Sequence, residues 1–224
     1  MSERSELSYS LDEELDLPPI RDEDFLEFKK RAYRLSSRHP EEHASRELVV
    51  AAILEVLFKD DFKNRKIIDV GAGFGKEGEI FADPPHLAKF LGKIGAEVLA
   101  IDSKIEEEDS DGTFTTAQIE LGNFDSKDIP VKWQDSDVVV SVSFLGVPTD
   151  QSEIDARQLI KELSKVAKFQ IHAVLLGENK RFGKSLTTEN LQDDGFQVIY
   201  NSLQTGSKPD DLYNYLILKR REQE

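Results

Sequence analysis

The apolar positions of the chain change their period part-way along it. Between residues 22 and 38, Phe25, Phe28, Ala32 and Leu35 recur at intervals of three and four, which predicts an amphipathic helix with Lys29, Lys30, Arg31 and Arg34 on its other face. Pro40 followed by Glu41 and Glu42 is a helix start, and Leu48, Val49, Ala52, Ile53, Val56 and Leu57 give this second helix a broad apolar stripe. Beyond the turn-like stretch 60–64 the pattern becomes short apolar runs, at 66–70, 97–101, 137–143 and 169–176, with a weaker one at 118–121. Helical periodicity fills 76–93 and 154–168. Strands alternating with helices imply parallel strands joined by right-handed crossovers. The last two runs, 196–201 and 212–219, are joined by a loop containing Gly206 and Pro209 with no room for a crossover helix, so the sheet is expected to finish as an antiparallel hairpin.

Composition narrows the setting. At 224 residues with a hydrophobic fraction of 38%, the chain supports one core and a modest extension. The absence of cysteine excludes disulfides, thiolate metal sites and a cysteine nucleophile, and points to a reducing compartment. The first thirty residues lack the apolar stretch of a signal peptide, and the longest apolar run, 48–54, is far short of the roughly 18 residues that span a bilayer. The expectation is a cytoplasmic protein with no membrane segment. The net charge of −15 is uneven: residues 1–24 contribute −7 and the run Glu106, Glu107, Glu108, Asp109 and Asp111 another −5, so the remainder is near neutral. Residues 1–21, acidic and interrupted by Pro18 and Pro19, are expected to be a disordered tail, 22–62 a helical extension or cap, and 63–224 the α/β domain.

Candidate chemistry concentrates in residues 66–78, KIIDVGAGFGKEG. An apolar strand runs into Gly71, Gly73 and Gly75, whose bare backbone permits a tight turn and close approach of a ligand, and a helix follows with its free N–H groups and positive dipole end directed at that ligand. Two readings of this loop are open. Gly73, Gly75 and Gly78, with Asp102 24 positions on, satisfy the dinucleotide pattern G-x-G-x-x-G, although the strand ends two residues before the supposed first glycine.

Read from Asp69, the segment DVGAGFG resembles the first motif of the class I S-adenosylmethionine-dependent methyltransferases, an acidic residue followed by x-G-x-G-x-G. The resemblance continues through residues 97–102, EVLAID, where the family's second strand ends in an acid that holds the cofactor ribose. It continues at 125–131, DSKDIPV, which is similar to an adenine-contacting D-A-x-D-L-P-F, and at Asp137, which opens the fourth strand. It extends over about residues 67–219. The sequence departs from the family in the long stretch between Gly75 and Asp102, in the missing glycine turn before the fifth strand, and in lacking the Asn-Pro-Pro-aromatic motif of amino-methylating enzymes.

The resemblance implies a doubly wound, mostly parallel seven-stranded sheet ending in an antiparallel hairpin, preceded by two helices able to cover the cofactor cleft. It implies S-adenosyl-L-methionine as cofactor, with Gly71, Ala72, Gly73 and Gly75 against its methionine end and Asp69 on its ammonium. Asp102 would accept from the ribose hydroxyls, Asp125 from the adenine amino group, and the Ser126 N–H would donate to the adenine ring. Backbone groups of Ser143 and Phe144 would line the methionine moiety. The expected activity is methyl transfer, foremost to a small molecule, with protein or RNA acceptors still open because of the basic face at 22–38. A non-catalytic protein that keeps the pocket for regulation, and a nicotinamide-dependent oxidoreductase, are the rival readings. No catalytic residue is assigned: His172 lies within a strand, where a core histidine is the simpler reading, and Glu178 stands at the rim.

Other signals are weaker. Gly177 and Gly183-Lys184-Ser185 are one residue too far apart for a phosphate-binding P-loop. Lys180, Arg181 and Lys184 suit a solvated loop. His39 and His43 have metal-ligand spacing but no third ligand, and the 106–111 acidic run lacks the alternation and central glycine of a calcium loop, so no metal is expected.

Overall fold

The computed structural model describes residues 17, 20–38, 45–75, 84–142, 156–175, 186–205 and 213–221. Seven strands, β1 Lys66–Val70, β2 Glu97–Asp102, β3 Thr115–Gln118, β4 Ser136–Val142, β5 Ala167–Leu175, β6 Phe196–Asn201 and β7 Tyr213–Arg220, form one sheet. Their order is β3-β2-β1-β4-β5-β7-β6. The first five are parallel, and β7 runs antiparallel to both β5 and β6. The order reverses between β1 and β4, and in an open α/β sheet the crevice at the carboxyl ends of the strands beside such a switch point is where ligands bind.

Alternation along each strand sorts the core into two layers. Ile67, Val98, Ala100, Val138, Val140 and Phe169 face the helices α1 Asp24–Arg38, α2 Ser45–Leu57 and α3 His86–Lys93. Ile68, Val70, Leu99, Ile101 and Val139 face α4 Ala156–Leu163 and the short 3-10 turns that precede β4. Both faces are covered, which is why the strands read as continuous apolar runs. Helix α1 reaches the far side of the sheet: the Phe25 ring lies 4.9 Å from that of Tyr200 and 4.7 Å from that of Tyr215, and the Tyr200 hydroxyl donates to Asp22 Oδ1.

Three expected boundaries move. The helix expected over 76–93 is described only as α3, from His86, because the chain at Pro84 and Pro85 is not helical; residues 76–83 lie outside the described residues. Strand β3 lies at Thr115–Gln118, three residues ahead of the apolar run at 118–121, because an edge strand needs few apolar side chains; Ile119 and Leu121 turn under the sheet instead. Helix α4 ends at Leu163, not at 168, because Val166 O accepts from Ser136 N–H at 2.8 Å and so draws the chain into the sheet.

Gly92, in the last turn of α3, is a contact that admits no side chain. A Cβ there would stand 2.1 Å from the Thr113 carbonyl oxygen, a backbone atom. Gly92→Ala is expected to destabilise the protein by about 1–3 kcal/mol, the range for overpacking, and thermal melting checks it. An unchanged midpoint would show that α3 shifts freely against the segment before β3.

Candidate functional site

The site begins where β1 ends. Gly71, Gly73 and Gly75 have φ of 68°, 90° and 79°, a left-handed backbone in which side chains are strained, so the sequence can make this bend only with glycine at these three places. The N–H groups of Gly71 and Ala72 both point at Ile101 O, at 2.8 and 3.0 Å, which folds the loop over the end of β2. Asp102 closes that contact. Its Oδ2 accepts from Gly73 N–H at 3.4 Å and its Oδ1 from Lys104 N–H at 3.0 Å. Each carboxylate oxygen has a second lone pair for a ligand hydroxyl. Lys104 Nζ lies 5.1 Å from the centre of the Phe74 ring, a second link between the loop and the β2 end.

Asp69 lies beneath the loop, 2% exposed, where burial raises its carboxyl pKa to about 8. The nearby carboxylates of Glu47 and Asp102 push in the same direction, against a hydrogen bond from the backbone of Ala88 in α3. Glu47 belongs to the first turn of α2, is 8% exposed, and was not legible as a site residue: an acid at a helix start is ordinary, and only tertiary packing brings it to Asp69. Ile119 ties the backbone just past β3 to the end of β2. Its N–H donates to Asp102 O at 3.2 Å, while its half-buried side chain packs under the sheet with the layer of Leu99 and Ile101.

Asp125 and Ser126 belong to a tight turn ahead of β4. Asp125 caps a 3-10 turn, Ser126–Asp128, by accepting from Lys127 N–H at 3.0 Å, a bond that holds its carboxyl below the usual range. The Ser126 N–H donates to Glu162 Oε2 of α4 at 3.3 Å, and its carbonyl accepts from Gln134 Nε2 at 3.0 Å. No hydrogen bond among the described residues joins this segment to the glycine loop or to Asp102, and the Ser126 donor is already engaged. Ser143, Phe144, Gly78, Glu178, Lys180, Arg181, Lys184, His39 and His43 lie outside the described residues.

His172 is sealed in the sheet at 0% exposure. Gln170 Nε2 donates to Ile160 O at 2.9 Å, so Gln170 Oε1 is the acceptor for His172 Nε2–H at 3.0 Å; Nδ1 then accepts the Ser141 hydroxyl at 2.8 Å. This chain fixes one neutral tautomer, and burial lowers the pKa to about 3. His172 is a core residue that no substrate reaches. Among the described residues no group of three His, Asp or Glu could hold a metal ion, and no helix is long and apolar enough to cross a membrane.

Solved structures with this architecture share one chemistry in their names. A TehB-like SAM-dependent methyltransferase from Corynebacterium glutamicum superposes with a TM-score of 0.55 at 14% identity, over 90% of this chain and 100% of the other. Magnesium protoporphyrin IX methyltransferase from Synechocystis PCC 6803, with bound SAM, gives 0.51 at 16% identity, over 92% and 100%. The fold is that of the class I S-adenosylmethionine-dependent methyltransferases. No protein-family model matches the sequence, and no curated protein does. At these identities the likeness concerns the fold alone.

Proposed function

We propose that this protein is an S-adenosylmethionine-dependent methyltransferase acting on a small molecule. The observation that carries the reading is the hydrogen bond from Gly73 N–H to Asp102 Oδ2, which sets a bare, left-handed glycine loop against a carboxylate at the end of the neighbouring strand. The residues present fit the cofactor. Asp102 would accept from the ribose hydroxyls, Gly71, Ala72, Gly73 and Gly75 would border the methionine end, and Asp69, with Glu47 behind it, would face the ammonium. The Ser126 N–H, which donates to Glu162, would have to exchange that partner to donate to the adenine ring.

When bound, the cofactor supplies the electrophilic methyl group, so the protein's part is to hold an acceptor in line with it. Orientation of this kind contributes roughly 7–11 kcal/mol, enough that a strong side-chain base is unnecessary for an acceptor that is already nucleophilic. That matches the sealing of His172. The same observation favours a second reading, a non-catalytic protein that keeps the cofactor pocket.

Calorimetric titration with S-adenosylmethionine, S-adenosylhomocysteine and NAD tests the first step: binding of the two sulfur cofactors and not of NAD is expected, and binding of NAD alone would sink the proposal. Incubation with labelled S-adenosylmethionine and fractionated extract then separates the two readings, since only an enzyme transfers label to a small-molecule fraction.

A further inference from the structure

Phe74 is the one large side chain in the glycine loop. Residues 71–75 read Gly-Ala-Gly-Phe-Gly, and Gly73 and Gly75 flank the phenylalanine in left-handed backbone, with φ of 90° and 79°. Glycines on both sides give this stretch more conformational freedom to lose than other residues would. Beyond the backbone bonds to Ile101 O and Asp102, the half-buried Phe74 ring offers the largest grip on the loop. Lys104 takes it, with Nζ 5.1 Å from the ring centre.

The backbone that carries Lys104 is fixed at three consecutive residues. Ser103 O accepts from Gln118 Nε2 at 2.9 Å, Lys104 N–H donates to Asp102 Oδ1 at 3.0 Å, and Ile105, 1% exposed, is buried in the core. Its exposed ammonium has other partners within reach along the chain, since five carboxylates follow at Glu106, Glu107, Glu108, Asp109 and Asp111. Asp111 pairs with Lys89 instead, at 3.4 Å, and among the described residues Lys104 forms no ion pair. The ring is what this cation contacts.

Lys104 therefore touches both halves of the crevice. Its N–H holds one oxygen of Asp102, whose other oxygen accepts from Gly73 N–H, and its ammonium covers the ring next to Gly73. These contacts close a circuit through Asp102, Gly73, Phe74 and Lys104, which sets the spacing of carboxylate and loop before a ligand arrives. A ligand that spans the same two elements then has less motion to quench. We propose that Lys104 is a positioning residue for the cofactor, clasping the glycine loop to Asp102 and so slowing release of a bound S-adenosyl ligand. The inference rests on the proposed function and names the residue that retains its cofactor.

Calorimetry and stopped-flow displacement with S-adenosylhomocysteine, on the full-length chain, test the clasp. Lys104→Gln keeps the backbone N–H and removes the charge; it is expected to raise Kd about 2- to 5-fold, the range for an exposed cation over a ring, through faster dissociation. Lys104→Arg should restore the wild-type rate, because a guanidinium also stacks on an aromatic face. In a double-mutant cycle, Lys104→Gln should have no further effect once Phe74→Leu has removed the ring. A Gln variant that releases the ligand as slowly as the wild type, an Arg variant no better than Gln, or additive effects of Lys104→Gln and Phe74→Leu would each overturn the proposal. Lys104 is exposed, so the Gln and Arg comparisons decide even where Phe74→Leu fails to fold. A wild-type protein that does not bind S-adenosylhomocysteine at all is a separate result, which overturns the proposed function and the clasp with it.

Discussion

Asp69→Asn is expected to stabilise the unliganded protein at pH 8 and to leave its stability near pH 4 unchanged. The folded-state carboxyl titrates at about 8, whereas in the unfolded chain it titrates near its ordinary value of 3.8. Between those values the folded state holds a proton that the unfolded state has released, so this group makes stability fall as pH rises, by about 1.4 kcal/mol per pH unit. His172 acts in the opposite sense. Its folded pKa of about 3 lies below the ordinary value of 6.5, so the unfolded state binds the extra proton and stability rises with pH between them. The two slopes oppose each other from about pH 4 to 6.5, where the pair leaves stability nearly level, and above 6.5 the Asp69 slope acts alone. The Asn variant should therefore show stability rising to about pH 6.5 and then level to 8, while the wild type declines over that last interval. Urea unfolding at fixed pH values reads both curves. Parallel curves would mean that Asp69 is ionised in the folded protein. Under the proposed function the same variant should bind cofactor more weakly, because it forfeits the carboxyl group that an adjacent ammonium would draw into its ionised form.

The second large effect is on binding. Asp102→Ala should weaken affinity for S-adenosylmethionine by roughly 1.5–3 kcal/mol, the range for hydrogen bonds to a charged group, or about 10- to 150-fold. The loss has two sources in the structure: the acceptor for the ribose hydroxyls disappears, and so does the carboxylate that holds Gly73 N–H and Lys104 N–H together. Asp102→Asn keeps one acceptor oxygen and should fall between. Calorimetry gives the affinities, and far-ultraviolet circular dichroism checks that the fold survives. An unchanged affinity in the Ala variant would remove Asp102 from the site.

The fold was legible wherever local pattern and tertiary need agreed. β1 and β6 lie where their apolar runs place them, and the hairpin finish follows from the missing crossover. β3 was displaced because Thr115 and Thr116 pair with β2 at an edge, where hydrophobic pattern is weakest. The glycines of the site were legible because only their backbone conformation explains three in alternation. The approach of Glu47 to Asp69 was not, since an acid heading an apolar helix carries no local sign of what it will face. At Ser126 the sequence likewise carries no sign of the partner of its N–H, Glu162, which is 36 residues away.

The contact between Phe25 and Tyr215 also orders events on the ribosome. The first helix of the chain completes its packing on the last strand, and β7 must insert between β5 and β6 before either neighbour is fully paired. At roughly 5–20 residues per second, the 190 residues between Phe25 and Tyr215 take on the order of 10–40 s to synthesise, and for that interval the apolar side of α1 waits without its final partner. Nascent chains of this protein are therefore expected to recruit holdase chaperones through their first forty residues until the C-terminal strand emerges.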